Sequence, residues 1–234
     1  MILPVQDLKL KSSETAPSNN TGSNTSNQTK DIIPIVMCVN MTDYLKISIA
    51  YNRKFFNKFF VITSPSDIFT KQLCKKYDAD VIEYNNFFTN AKFNKSGGMA
   101  YAQEIVHKQF PESWILLLDT DIVLTPECIN IIDGCFIFKK LDKTLMYSVK
   151  RFNVLNQKEL DEECKEREYA LPGAGYFQLY YDKTKMYPSF SNTAGECDMT
   201  FAFLFSKRVL IPTHVYHLGE DGMHWNGRGK PWTF

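Results

Sequence analysis

The 234-residue sequence lacks several features that mark particular classes of protein. No apolar run approaches the roughly 20 residues that a membrane span requires. The first thirty residues have no cationic start followed by an apolar segment, so we expect no secretory signal. The six cysteines include no Cys-x-x-Cys pair, which favours buried thiols in a reducing compartment over a disulfide framework. With 27 basic and 26 acidic side chains, the net charge of +1 argues against a general surface for nucleic acid or anionic membranes. These absences predict a cytoplasmic protein.

The composition itself is typical of a globular protein, with 44% hydrophobic and 23% charged residues. The amino-terminal part is the exception, because residues 12–29 are dominated by Ser, Thr, Asn and Gly. Such a segment buries too little apolar surface to offset its ordering entropy. We therefore predict a disordered polar tail or linker over residues 1–30, which could join an upstream domain, and one folded domain over residues 31–234.

From residue 31 onward, short apolar runs alternate with helical periodicity, which predicts an α/β fold with a parallel sheet. The first half is predicted to hold strands at 32–39, 59–63, 80–84 and 114–118, and helices at 44–56, 67–77, 97–109 and 125–141. The second half is predicted to hold a strand at 144–149, a charged helix at 161–168, a partly antiparallel section at 176–181, a helix at 197–207 and a strand at 209–211.

Chemistry is expected at the end of the most apolar strand, 114–118, which is followed by Asp119-Thr120-Asp121. In an open α/β sheet, ligands bind beyond the carboxyl ends of the strands. Two carboxylates this close raise one another's pKa unless a cation lies beside them, and hard oxygen ligands suit Mg²⁺ or Mn²⁺. The alternative is that one aspartate only caps the turn toward the next helix.

At this point the chain resembles the GT-A glycosyltransferases. The shared features are strands that alternate with helices, a loop with a basic residue, and an apolar strand that ends in Asp-x-Asp. The likeness is greatest to the family 2 type and to compact glycosyltransferase domains encoded by large DNA viruses, and it spans about residues 32–232. It implies a three-layer α/β/α fold with a mostly parallel sheet and a small added antiparallel section. It also implies transfer of a sugar from a nucleoside-diphosphate sugar, UDP-linked in our prediction, to the hydroxyl of a glycan or other acceptor with inversion.

The resemblance also assigns roles to residues. Asp121 would bind the Mn²⁺ or Mg²⁺, Asp119 would hold the ribose or join the metal shell, and His217 would be a further metal ligand. In the segment Gly195-Glu-Cys-Asp-Met-Thr-Phe201, Asp198 is the first candidate for the catalytic base and Glu196 the second. Two acids at a helix start, and a satisfied surface histidine, are the structural alternatives.

Further contacts are predicted around these groups. The donor would be bound by Val39, Asn40, Thr42, Lys95, Gly98, Asp119, Thr120, Arg228 and Lys230. The acceptor or sugar would lie against Gly175, Tyr176 and Trp225. If the source is viral, the expected site of action is the host cytoplasm. The resemblance is also compatible with a protein that is fused to other glycosylation domains or works with them.

Two other functions remain open on the sequence. A nucleotidyltransferase that makes sugar nucleotides shares the layered sheet and an acidic metal site, but the sequence after the first strand, Asn40-Met-Thr-Asp-Tyr44, has no glycine for a phosphate loop. A non-catalytic domain that binds carbohydrate or nucleotide sugar would keep the fold without turnover.

Overall fold

The computed structural model describes residues 31–89, 92–191 and 193–220. The predicted tail and the candidate residues Trp225, Arg228 and Lys230 lie outside these ranges. The strands are β1 (Ile32–Met37), β2 (Phe60–Thr63), β3 (Asp80–Glu83), β4 (Phe88–Thr89), β5 (Lys92–Phe93), β6 (Trp114–Asp119), β7 (Ile122–Leu124), β8 (Met146–Val154), β9 (Glu168–Tyr169), β10 (Phe177–Tyr180) and β11 (Arg208–Leu218). The helices are α1 (Thr42–Asn52), α2 (Ile68–Lys76), α3 (Lys95–Gln109), α4 (Pro126–Ile137), α5 (Gln157–Asp161) and α6 (Ala194–Ala202), with a 3₁₀ turn at Arg53–Phe55.

The central sheet is mixed and mostly parallel, which confirms the predicted α/β class. Its strand order is β3-β2-β1-β6-β10-β8-β11-β7, with β9 added beside β8. Neighbours from β3 to β6 are parallel, as are β8 and β11, whereas β10 is antiparallel to both β6 and β8. Because β6 and β8 both oppose β10, they point the same way. The carboxyl ends of β1, β6, β8 and β11 therefore meet at one edge of the sheet.

Strands β1 and β6 are buried on both faces, which is why their sequences are continuous apolar runs. Side chains alternate between faces along a strand. In β6, Leu116 and Leu118 join the cluster that includes residues of α1, α2 and α4. Ile115 and Leu117 join the cluster that includes residues of α3 and α6. The result is the predicted three-layer α/β/α arrangement.

Two helix starts are set by side-chain caps. Thr125 accepts a hydrogen bond from the Cys128 amide at 3.0 Å and precedes Pro126 at the first helical position, as predicted for α4. Helix α3 begins two residues before the predicted start because the Asn94 side chain accepts from the Gly97 amide at 2.9 Å. Lys95 is therefore in the first turn of α3.

The region after β8 departs most from the prediction. The helix predicted at 161–168 is wrong: α5 occupies Gln157–Asp161, with Asn156 as its cap. Glu163 has a φ of +52°, which a right-handed helix cannot accommodate, and Glu168 and Tyr169 pair with β8 as β9. Strand β7 was not predicted, and the strand predicted at 209–211 is the much longer β11.

Two predicted absences can be compared with the described residues. All six cysteines lie among them and are free thiols, so no disulfide framework is present there. None of the helices within residues 31–89, 92–191 and 193–220 combines the length and the apolarity that crossing a membrane requires.

Candidate active site

The candidate residues come together at the shared carboxyl edge of the sheet. Asp119 is the last residue of β6 and pairs with Met37 at the end of β1. Asp121 lies in the turn before β7, and its carbonyl accepts from the Leu218 amide at 2.8 Å. Strand β11 thereby brings His217 to the same edge, beside Ile122. The sequence predicted this edge as the site. Pairing of the strands brings to it residues that lie about a hundred positions apart in the chain, such as Asp121 and His217.

A group that we call the lysine cluster joins Lys95, Asp119, Asp198 and Tyr187. The Lys95 ammonium donates to Asp119 Oδ1 at 3.0 Å and to Asp198 Oδ2 at 2.9 Å. The Tyr187 hydroxyl donates to Asp198 Oδ1 at 2.9 Å. Both oxygens of Asp198 are therefore engaged, and the Lys95 and Asp198 side chains are each only 10% exposed. Lys95, predicted to contact the nucleotide, bridges α3, β6 and α6 through these two bonds.

The lysine cluster is enclosed by close packing. A Cβ at Gly175 would overlap the Asp198 carboxylate, so only glycine fits at this position. Behind the carboxylate, the side-chain Nε2 of Gln178 donates to the backbone carbonyl of Asp198 at 3.2 Å. Gly175, predicted to let the backbone approach a sugar, thus lets the backbone approach an aspartate of the same chain.

The electrostatics of the cluster follow from its burial and from its pairing. Burial alone would lower the pKa of Lys95, but the carboxylates of Asp119 and Asp198 outweigh burial and raise that pKa well above its usual value. Burial raises the pKa of Asp119, and the negative charges of Asp198 and Asp121 add to this, while Lys95 opposes it. Lys95 is thus a permanent cation at the site.

A second group, which we call the histidine pair, consists of Asp121 and His217. His217 Nε2 lies 3.4 Å from Asp121 Oδ2, and the two side chains are each 7% exposed. Adjacent ligands of an octahedral Mg²⁺ lie about 3 Å apart, given metal–oxygen distances of about 2.1 Å. The spacing and the donor types of the pair therefore fit two neighbouring positions around one divalent ion.

Asp119 does not complete a three-residue metal cluster. Among the described residues, no three His, Cys, Asp or Glu side chains lie close enough together to hold a metal ion. Mg²⁺ sites commonly use one or two carboxylates and take their other ligands from water and substrate phosphates. Of the three predicted metal ligands, the structure brings together Asp121 and His217, while Asp119 accepts from Lys95.

Several residues predicted to bind the donor have contacts within the protein. The Thr120 hydroxyl donates to the Met37 carbonyl, and the Asn40 amide donates to Asp67 Oδ2 at 2.8 Å. The Thr42 hydroxyl lies 3.0 Å from that of Thr70. Val39 is buried in the cluster that packs against α3.

Gly98 and Tyr176, two other predicted ligand contacts, also pack against residues of the protein itself. A Cβ at Gly98 would lie 2.5 Å from the Phe87 ring, so this glycine serves the packing of α3. Tyr176 is 2% exposed and donates to the Val149 carbonyl at 2.5 Å, which leaves its ring no face for a sugar. Glu196 lies in the first turn of α6, where it is exposed.

Tyr187 is a site residue that sequence reasoning missed. It lies in an irregular segment without helical or strand periodicity, and it reaches Asp198 only through the fold. No local sequence signal points to it. Its position is fixed by the Gln103 side chain, which accepts from the Tyr187 amide at 2.7 Å.

Comparisons with known proteins identify the fold. No protein-family model and no curated protein matches the chain. Glucosyl-3-phosphoglycerate synthase from Mycobacterium tuberculosis, solved with Mn²⁺, UDP and glucosyl-3-phosphoglycerate, aligns with a TM-score of 0.51 and 10% identity over 88% of this chain and 79% of that one. Mannosyl-3-phosphoglycerate synthase from Rubrobacter xylanophilus aligns with a TM-score of 0.51 and 12% identity over 82% and 68%. At this identity the likeness supports a GT-A-like fold, in agreement with the prediction.

Proposed function

We propose that the protein is a metal-dependent glycosyltransferase that moves a sugar from a nucleoside diphosphate, UDP in the first instance, to an acceptor hydroxyl. The observation that carries the proposal is the meeting of the histidine pair and the lysine cluster at the carboxyl edge of the sheet. The fold neighbours solved with Mn²⁺ and UDP support it.

In this proposal Asp121 and His217 hold the Mn²⁺ or Mg²⁺, because they are the candidate ligands whose donor atoms converge. The ion, when bound, supplies the positive charge that stabilises a departing nucleoside diphosphate. Asp119 lies beside the pair and carries one oxygen bound to Lys95, so its role is to orient the donor's ribose. Arg228 and Lys230 remain predicted diphosphate contacts.

The catalytic base is assigned by access to the acceptor. A general base must come within hydrogen-bonding distance of the hydroxyl that it deprotonates. Asp198, first on the sequence, has both oxygens engaged by Lys95 and Tyr187, whereas Glu196 is exposed on the same helix. We therefore place the base at Glu196 and give Asp198 the role of anchoring Lys95. The proposed reaction still inverts the configuration at the anomeric carbon of the sugar.

Donor binding tests the core of the proposal. Calorimetry on the full chain should show UDP binding that requires Mn²⁺, and a panel of UDP- and GDP-sugars should show slow metal-dependent hydrolysis. Asp121→Ala should abolish the metal-dependent part of binding. Binding of UDP that is indifferent to Mn²⁺ and to Asp121, without turnover of any sugar nucleotide, would contradict the proposal.

The base assignment has its own test. Glu196→Gln should lower the transfer rate while leaving the dissociation constant for UDP and Mn²⁺ unchanged, and the anomeric configuration of the product, read by NMR, should be inverted. A retained configuration, or full transfer by Glu196→Gln, would remove Glu196 from this role. Release of pyrophosphate from a sugar phosphate and a nucleoside triphosphate would instead identify the nucleotidyltransferase.

A further inference from the structure

A polar side chain outside both groups lies beside His217. Strands β8 and β11 are parallel, and their register places Asn153 opposite His217. Neighbouring residues on adjacent strands lie about 5 Å apart and project to the same face of the sheet. Asn153 is 7% exposed and His217 is 6% exposed, so the two side chains share a buried position.

Each of these side chains has a buried atom without a hydrogen bond. Within the described part of the chain, neither Asn153 Oδ1 nor His217 Nδ1 has a partner. About nine in ten buried polar groups in proteins have one, and leaving such a group unsatisfied costs about 1–3 kcal/mol. An amide oxygen accepts and a protonated ring nitrogen donates, so the two atoms are complementary.

We propose that Asn153 is a positioning residue whose side-chain amide binds His217 Nδ1 and holds the imidazole with Nε2 toward Asp121. The pairing requires only a side-chain rotation, because the backbone register already sets the residues side by side. The consequence for metal binding rests on the proposed function. When a cation occupies Nε2, the ring proton must be on Nδ1, and metal-binding histidines almost always donate this proton to a neighbouring acceptor.

The contact itself is tested without metal. In protein labelled with ¹⁵N at histidine, His217→Gln identifies the His217 signals among those of the four histidines. Asn153→Ala should shift the Nδ1 resonance of His217. The control is Tyr216→Phe at the preceding residue of β11. It removes a buried hydroxyl that also has no hydrogen bond among the described residues, and it should leave the Nδ1 resonance of His217 in place. An Nδ1 resonance unaffected by Asn153→Ala overturns the proposal. If Asn153→Ala does not fold, the similarly sized Asn153→Leu replaces it.

The role of the contact is tested by metal affinity, with UDP present and free Mn²⁺ measured by EPR. Asn153→Ala should weaken Mn²⁺ binding by about 10- to 100-fold. Asn153→Asp keeps the acceptor oxygen and should restore most of the affinity. Equal losses in both variants, or none in Asn153→Ala, would overturn the positioning role. If the unmodified protein binds no Mn²⁺ with UDP, the proposed function fails, whereas the ¹⁵N experiment still decides the contact.

Discussion

The lysine cluster and the histidine pair lie at the same edge of the sheet but differ in how their polar atoms are satisfied. In the lysine cluster, one ammonium donates to two carboxylates, and a tyrosine hydroxyl donates to the remaining oxygen of Asp198. In the histidine pair, the closest approach is 3.4 Å, and His217 Nδ1 has no hydrogen bond among the described residues. A satisfied buried cluster fixes structure, whereas an incompletely satisfied one is suited to receive a ligand. Changes in the first should therefore cost stability, and changes in the second should cost binding.

Lys95→Met should have the largest effect on stability. It leaves the buried carboxylate of Asp198 and the partly exposed carboxylate of Asp119 without a cation. Stranding a buried charge typically costs about 3–5 kcal/mol of the free energy of unfolding, and the solvent exposure of Asp119 places the expected loss toward the lower end of this range. Urea denaturation measures the loss. Lys71→Met is the matched control, because Lys71 pairs with Glu83 at 3.0 Å where the two side chains are 30% and 47% exposed, and such pairs contribute about 0–1 kcal/mol.

A double variant identifies the cause of that loss. Asp198→Asn removes one of the stranded charges, so Lys95→Met should cost less in its presence. If Lys95→Met destabilises no more than Lys71→Met, the lysine cluster is not the fixed part of the site.

Gly175→Ala should have the next largest effect. The new methyl group overlaps the Asp198 carboxylate, and forced overpacking of this kind costs about 1–3 kcal/mol. Gly134→Ala is the control, since its Cβ would meet nothing within 4 Å in the middle of α4, and alanine there should stabilise the helix by about 0.5–1 kcal/mol. Thermal unfolding of the two variants should therefore shift in opposite directions.

The pH dependence of stability tests the buried residues that hold Tyr187 in the lysine cluster. His107 Nε2 lies 2.8 Å from the Tyr180 hydroxyl, which also accepts from Gln103, the partner of Tyr187. Burial first, and then the charge of Lys183, lower the pKa of His107 from 6.5 to about 4. The unfolded chain therefore binds a proton between these values that the folded chain does not, and stability falls as the pH is lowered through this window.

The size of this effect is about 1–3 kcal/mol once partial screening is allowed for. Urea denaturation at pH 7 and pH 4.5 measures it, and His107→Gln should reduce the difference between the two pH values. An unchanged difference in the variant would show that other groups account for the acid sensitivity.

Asp121→Asn should have the smallest effect on stability and a large one on binding. Asparagine keeps the size of the side chain while it removes a buried negative charge, so the free energy of unfolding should change by less than about 1 kcal/mol. Metal-dependent UDP binding should fall by at least about 100-fold, or about 2.7 kcal/mol. A loss of stability as large as that of Lys95→Met would remove the distinction between the two groups.

The sequence predicted best those elements whose burial is visible in local order. Residues 114–118 read as a central strand because every one is apolar, and β6 is buried on both faces. Its end therefore predicted the edge of the sheet at which Asp119 and Asp121 lie. The start of α4 followed from Thr125 and Pro126, whose capping chemistry is local.

The second half was predicted less well because long-range pairing overrides local pattern there. Strand β11 contains Thr213, His214 and His217, which interrupt an apolar period, yet β8 and β7 pair with it on both sides and bury these residues. The three residues of β7 are too few for a period to be recognised. The charged segment at 161–168 has helical composition, but the positive φ of Glu163 ends the helix.

By itself, the sequence determined the layered α/β fold, the edge at which Asp119 and Asp121 lie, and the residue types that suit a divalent ion. These properties follow from apolar runs and from residues that are adjacent in the chain. Only the tertiary structure decided that Lys95 binds Asp198, 103 residues away, and that His217 faces Asp121 beside Asn153. Such pairings depend on strand register and on burial. A charge that is removed from water costs free energy unless it is paired, and the fold decides which partners lie within reach.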